Sequence, residues 1–157
     1  MKPIRLLVPG PLGQRTGGYR YDRRVTEALR AAGRTARMEA LEGSFPDPDA
    51  RARESLRSRL LADPEAITVV DHLAAAALGQ LNIDRLPARP LLLVHHPFAD
   101  DPDFDGELRA RLVRAERAAF EHCAGALATS AYTARRLAAL GLSPDAIRVV
   151  EPGVDPA

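Results

Sequence analysis

The stretch that decides the fold is IRLLVPGPLGQRTGGYRYDRRVTEALRAAG, residues 4–33. The short, leucine-rich run at residues 4–8 predicts a buried strand that ends at Pro9. A helix is predicted from Tyr19 to Ala32, with a glycine placed as its stop. Its predicted apolar face consists of Val25, Leu29 and Ala32. The stretch therefore reads as strand, glycine-rich turn and helix.

The same alternation of strands and helices continues to the end of the chain. Further strands are predicted at residues 37–41, 67–70, 91–94, 126–128 and 147–150. Asp47-Pro48 predicts the start of a second helix, residues 107–123 form a long amphipathic one, and Ser130 caps one that runs through Leu140. This order predicts an α/β fold, a Rossmann-like, doubly wound parallel sheet of about six strands with right-handed crossovers.

The expected strand order places a ligand site. In the usual order 3-2-1-4-5-6, strands one and four are central neighbours, and the winding reverses between them. Ligands bind outside the carboxyl ends of the strands at that point. The residues that follow strands one and four are therefore the first candidates for a functional site.

A pair of glycines, Gly17-Gly18, follows strand one and begins the predicted helix. Without side chains, they allow backbone N–H groups to approach a ligand closely, and the helix dipole favours an anion there. A tight turn alone would also explain them. The loop lacks the Gly-Lys-Ser/Thr ending of a P-loop and the G-x-G-x-x-G spacing of dinucleotide-binding folds.

Two histidines, His95 and His96, follow strand four directly and precede a proline. A neutral imidazole at that position can donate or accept a hydrogen bond. Because side chains alternate along a strand, only one of the two is expected to face the cleft, and the other is expected to pack against a helix. Asp71-His72 ends strand three and would line the same rim, although a helix-capping role explains Asp71 equally well. Glu116, on the long helix, is expected at the surface or behind the site.

Composition restricts the class of protein. A chain of 157 residues with 46% hydrophobic and 27% charged residues fits one globular domain, and its net charge of +1 gives no general attraction to nucleic acid. Cys123 is the single cysteine, so the chain builds no internal disulfide or thiolate metal site, and no metal is predicted. No apolar run approaches the ~20 residues of a membrane span, so a cytoplasmic location is expected, with peripheral membrane contact left open.

Taken in order, these residues resemble the family-4 glycosyltransferases, which are retaining enzymes of the GT-B fold. The resemblance spans nearly the whole chain, and its elements are weak singly but fairly specific in order and spacing. The matching elements are Gly17-Gly18, His95-His96-Pro97, the helix carrying Arg114 and Glu116, Thr129-Ser130 with residues 133–137, and residues 149–155. The last element reads Glu-Pro-Gly where the family more often has Pro-Asn-Gly.

The resemblance implies half of a two-domain enzyme. Residues 1–150 would be the N-terminal Rossmann-like domain on the acceptor side, and residues 151–157 would begin the hinge to a C-terminal donor domain that is absent. The implied reaction is hexosyl transfer from a nucleotide sugar to an unknown acceptor, with no cofactor beyond that donor. The missing domain would be supplied in cis or in trans. The isolated chain is expected to be inactive and to self-associate through the surface that it normally buries.

The resemblance also assigns roles to individual residues. Gly17 and Gly18 would approach the donor diphosphate, and either His95 or His96 would contact the donor sugar. Asp71 and His72, which end strand three at the rim of the same site, are further candidates for substrate binding because of that position.

Two other functions stay open at this point. A stand-alone, non-catalytic Rossmann-like binding or interaction module would keep the fold without the chemistry. A nicotinamide-dependent oxidoreductase domain would use Glu42, just past strand two, as its ribose-binding acid, but the glycine spacing argues against it.

Overall fold

The computed structural model describes residues 1–82 and 86–153. The six strands of the described residues are β1 (Ile4–Pro9), β2 (Ala36–Leu41), β3 (Ile67–Asp71), β4 (Leu91–Val94), β5 (Gly125–Ala128) and β6 (Ile147–Val149). Their α-helices are α1 (Gly17–Ala31), α2 (Ala50–Ala62), α3 (Ala75–Gly79), α4 (Gly106–His122) and α5 (Ala131–Ala139). The predicted α/β class is confirmed. The short helix α3 was not predicted, because five residues are too few to show a helical period.

All six strands are parallel and form one sheet in the order β2-β1-β3-β4-β5-β6. The expected order 3-2-1-4-5-6 is therefore wrong. β3 lies between β1 and β4, and the winding reverses between β1 and β3, as in flavodoxin-like sheets. Both orders use right-handed crossovers, so the alternation of elements does not distinguish them. This difference moves β3, with Asp71 at its end, to the centre of the ligand-binding edge.

Helices cover both faces of the sheet. α1 packs on one face, where Tyr19 contacts a cluster that includes Leu6, Val8, Val69 and Leu93. The other helices pack on the opposite face over alternate residues of the same strands. Their contacts there include Leu7, Val70, Val94 and Ala126. The alternation along each strand thus decides which side chains face α1.

The inner face of α1 differs from the predicted one. Val25 and Leu29 are only half-buried and Ala32 is exposed. The buried residues of α1 are Tyr19, Asp22 and Thr26. The helix is rotated so that Tyr19, whose hydroxyl donates to the carbonyl of Pro9 over 2.6 Å, enters the core beside β1. The rotation carries the carboxylate of Asp22 inward as well.

The helix termini mostly follow their sequence signals. Ser130 caps α5 as predicted, since its Oγ accepts from the N–H of Thr133 over 3.0 Å. The cap of α2 is Asp49 rather than Asp47, because Asp49 Oδ1 lies 2.7 Å from the N–H of Ala52. Asp47 instead forms a salt bridge with Arg111. Among the described residues, no helix is long and apolar enough to span a membrane.

Candidate functional site

The candidate site lies at the carboxyl end of the sheet, on the face that α1 covers. Asp71 is the last residue of β3, and His95 directly follows β4. Asp22 lies in α1, the helix that follows the loop after β1. Three consecutive strands of the sheet therefore lead to the three side chains, as the position of ligand sites in open α/β sheets requires.

Strand alternation explains which histidine reaches this site. Leu93 packs in the cluster beneath α1, so His95, two residues further on, is directed to the same face. Val69 and Asp71 are related in the same way on β3. His96 follows the opposite alternation and leaves the site.

The glycine turn, Gly17-Gly18 at the start of α1, lies beside the ring of His95. A Cβ atom on Gly18 would lie 3.3 Å from both Cδ2 and Nε2 of the His95 ring, which is closer than ordinary van der Waals contact. A Cβ atom on Gly17 would meet no atom of the described residues within 4 Å beyond its own neighbours in the helix. Gly18 therefore allows α1 to pack on the histidine, and Gly17 leaves open space at the start of the helix.

Asp22, Asp71 and His95 form a compact polar cluster. One ligand atom from each lies within 4.8 Å of the others, and His95 Nε2 is 3.6 Å from Asp22 Oδ1. Asp22 is completely buried, and within the described residues neither of its carboxylate oxygens has a hydrogen-bond partner. His95 Nε2 is likewise buried without a hydrogen bond to these residues.

Burial and negative charge shape the ionisation around this cluster. Burial, reinforced by the neighbouring charge of Asp22, raises the pKa of Asp71 to about 6. Burial, with Asp71 and then Asp22 adding to it, raises the pKa of Tyr19 to about 12. Asp71 also accepts a hydrogen bond from the N–H of Leu73 over 2.8 Å, so the capping and site roles considered for it coexist.

Neighbouring residues hold His95 in place. Thr133 Oγ1 donates to the carbonyl of His95 over 2.9 Å, and the N–H of Thr129 donates to the carbonyl of Val94 over 3.1 Å. The Tyr21 ring and the imidazole lie in a T-shaped arrangement, with ring centroids 5.2 Å apart. The threonines that the resemblance singled out therefore support the backbone of this histidine.

His96 lies outside the cluster. Its side chain is 55% exposed, and its Nε2 is 3.0 Å from Asp101 Oδ2. The expectation that the second histidine packs against a helix is wrong, because the chain turns into a short 3₁₀ helix at Phe98–Asp100 and leaves this ring in solvent.

His72 and Glu116 form a second buried pair on the opposite face of the sheet. His72 Nε2 lies 2.5 Å from Glu116 Oε1, and its ring stacks on Phe98 with centroids 4.1 Å apart. Glu116 is completely buried, so the expectation of a surface position is wrong. α4 carries it against the 3₁₀ turn at His72–Ala74, where its Oε1 meets the imidazole and the N–H of Phe98, while Oε2 has no hydrogen-bond partner among the described residues. The structure does not bring His72 to the glycine turn.

Asp22 is the site residue that sequence reasoning missed. Tyr19, Asp22 and Thr26 follow one another at spacings of three and four, which places them on one face of a helix. A carboxylate on the same face as an inward-directed tyrosine was the available signal. The apolar residues Val25 and Leu29 indicate a slightly different inner face, so the sequence pattern alone favours that face over the one that carries Asp22.

Comparison with known proteins gives the family. The sequence profile described as Glycosyltransferase Family 4 matches residues 15–157, which include the glycine turn, Asp22, Asp71 and both histidines. A search of curated proteins finds no match to the chain. The last part of the matched segment, residues 154–157, lies outside the described residues, as does most of the expected hinge at 151–157. The chain belongs to glycosyltransferase family 4.

Proposed function

We propose that this chain is the acceptor-side half of a glycosyltransferase that moves a hexosyl group from a nucleotide sugar to an acceptor. A C-terminal domain, in cis or in trans, would hold most of the nucleotide. Family membership supports the reaction type. The observation that carries the proposal is the contact of Gly18 with His95 at the carboxyl end of the sheet, because it joins an anion-binding turn to an imidazole.

The start of α1 is suited to the donor diphosphate. The first N–H groups of a helix have no partner within the helix, and its dipole favours negative charge there. Thr16, the N-cap residue, makes no side-chain hydrogen bond to these groups, and the first turn carries no acidic residue. Gly17 adds open space, so a phosphate can reach the backbone. Positive potential at this position would stabilise the departing nucleoside diphosphate.

His95 is suited to the donor sugar. Its side chain is 24% exposed, and because Nε2 is buried, this exposed surface belongs to its other atoms. We propose that this edge contacts the sugar next to the reacting carbon, where the transition state has oxocarbenium character. Closure of the two domains would exclude water and protect the donor from hydrolysis.

The proposal is tested by comparing the 157-residue chain alone with the same chain joined to a family-4 donor domain. Each is incubated with a panel of nucleotide sugars and acceptors, and both nucleoside diphosphate release and sugar transfer are measured. We expect turnover only when both domains are present. Turnover by the chain alone would disprove the dependence on a second domain, and no turnover by either form would count against the transferase assignment of this half.

Replacing Gly17 by alanine should weaken donor binding without changing the fold. Apart from its neighbours in α1, the new methyl group lies within 4 Å of no atom of the described residues, so the free energy of unfolding should stay within about 0.5 kcal/mol of the original. It would occupy the space proposed for the diphosphate, and we expect KM for the donor in the two-domain protein to rise roughly 10-fold, or about 1.4 kcal/mol. The matched control is Gly13→Ala, also in open space, which should leave KM unchanged. Equal KM values for both variants would contradict the placement of the diphosphate.

Exchanging each histidine for alanine should separate their roles. We expect His95→Ala to lower kcat roughly 10- to 30-fold, as the loss of one hydrogen bond to a partly charged transition state would. His96→Ala should lower kcat by less than about 3-fold, since the side chain of His96 is exposed beside Asp101. Steady-state kinetics of the two-domain protein measures both. A larger loss of kcat in His96→Ala than in His95→Ala would show that the donor contact has been assigned to the wrong histidine.

A further inference from the structure

We propose that Asp22, Asp71 and His95 bind a divalent first-row transition ion, Mn²⁺ or Zn²⁺, through one oxygen of each carboxylate and Nε2 of the imidazole. The glycosyl transfer described above requires no metal, and the sequence predicted none. The inference therefore goes beyond that function and rests on the unpartnered polar atoms of the cluster.

The first argument is charge. Asp22 is completely buried, and in the described part of the chain its two oxygens accept no hydrogen bond. Among the described residues it has a salt-bridge contact with His95, whose Nε2 lies 3.6 Å from Asp22 Oδ1, too far for a hydrogen bond. Asp71, also buried, adds a second carboxylate. A buried carboxylate that stays ionised is paired with a cation or coordinates a metal, because its desolvation is otherwise too costly.

The second argument is geometry. With bonds of ~2.1 Å, the ligand atoms of a tetrahedral zinc site lie roughly 3.4 Å apart. The 3.6 Å between His95 Nε2 and Asp22 Oδ1 is close to that value, and the three atoms already lie within 4.8 Å of one another. Two carboxylate oxygens and one imidazole nitrogen suit Mn²⁺ or Zn²⁺ better than Ca²⁺, which prefers all-oxygen sites.

The third argument is that the ligands are already oriented. The N–H of Leu73 holds Asp71 Oδ1, and the hydroxyl of Thr133 holds the carbonyl of His95. A Cβ atom on Gly18 would lie 3.3 Å from Nε2, so the glycine lets the backbone of α1 approach the imidazole closely. Coordination at Nε2 would place the ring proton on Nδ1, so the ion would fix the tautomer of His95.

The test is ion binding by the metal-free chain. Isothermal titration with MnCl₂ and with ZnCl₂ should show one ion bound per chain at micromolar concentration, and thermal unfolding should shift to higher temperature with the bound ion. Asp22→Asn keeps the shape of the side chain and removes its charge. His95→Gln removes the imidazole. Each should weaken binding by more than the roughly 10- to 100-fold that loss of a group behind the ligands costs.

Matched controls separate this site from adventitious binding at the surface. Asp47→Asn removes a carboxylate that forms a salt bridge with Arg111, and His122→Gln removes an imidazole at the last residue of α4. Neither belongs to the cluster, and both variants should bind the ion as the unchanged chain does. Thermal unfolding of every variant without metal shows that it is folded. Absence of binding at millimolar Mn²⁺ and Zn²⁺ would overturn the proposal, and so would unchanged affinity in Asp22→Asn and His95→Gln. Neither result would affect the glycosyl-transfer assay, which is measured separately.

Discussion

Replacing Asp22 by asparagine should make the metal-free chain more stable by about 3 kcal/mol, an unusual result for a change at a completely buried residue. The carboxylate has no hydrogen-bond partner among the described residues and lies near a second buried carboxylate, Asp71. Asparagine has nearly the same shape and carries no charge, so it removes the repulsion between the two buried carboxylates. The gain is measured as the free energy of unfolding in urea, with a chelator present.

The same substitution should lose the response to metal. At an ion concentration that saturates the unchanged chain, added Mn²⁺ or Zn²⁺ should stabilise Asp22→Asn much less, because the stabilisation depends on the affinity of the folded state for the ion. The exposed pair Asp47 and Arg111 supplies the control, since Asp47→Asn should change stability by less than about 1 kcal/mol. If Asp22→Asn proved less stable than the unchanged chain without metal, the carboxylate would have to be satisfied in the native state. If Asp22→Asn is more stable than the unchanged chain but does not respond to metal, Asp22 serves the chemistry of the site rather than folding.

Replacing Glu39 by glutamine should destabilise the chain by about 4 kcal/mol, the largest loss that we predict. Glu39 receives hydrogen bonds of 2.7 and 2.8 Å from the guanidinium of Arg5, which is only 1% exposed. Arg37 and Arg59 bind the same carboxylate from the surface side. Glutamine cannot compensate the buried positive charge of Arg5. The loss is measured by urea unfolding at neutral pH.

The pH dependence of stability gives an independent check on Glu39. Hydrogen bonds from Arg5, then from Arg37, lower the pKa of Glu39 from 4.5 to about 2. Because this carboxyl ionises more readily in the folded state, its contribution is complete above about pH 4.5 and is lost as the pH falls toward 2. Glu39→Gln should lack this part of the acid-induced loss.

Glu42 provides a matched control, since it also pairs with an arginine, Arg51, but its side chain is 64% exposed. Glu42→Gln should cost less than about 1 kcal/mol. Equal losses for the two glutamine variants would contradict the importance of burial at Arg5.

The elements of the fold could be predicted because their signals are local. β4 occupies the predicted residues 91–94, and the other strands begin and end within one residue of prediction. Apolar runs, the Ser130 cap and Gly141, with its φ of 110°, act through neighbouring residues. The strand order could not be predicted from them, because it depends on which strands pair over long separations in sequence.

The candidate site was predicted in part for the same reason. Gly17, Gly18, Asp71 and His95 stand at strand ends and at a helix start, positions that can be recognised without knowing the strand order. Asp22 could not be predicted, because its place in the site depends on the rotation of α1. The packing of Tyr19 against β1 determines that rotation. The burial of Glu116 could not be predicted either, because it depends on the contact of α4 with His72.

By itself, the sequence determined the α/β class, the family, and the strand ends that carry polar residues, because periodicity and turn chemistry act over a few residues. Only the tertiary structure decided that β3 separates β1 from β4, and that His95 rather than His96 meets the glycine turn and Asp22. The physical reason is burial. Whether a carboxylate is solvated or desolvated depends on residues distant in sequence, and at Asp22 that difference creates the ion-binding chemistry.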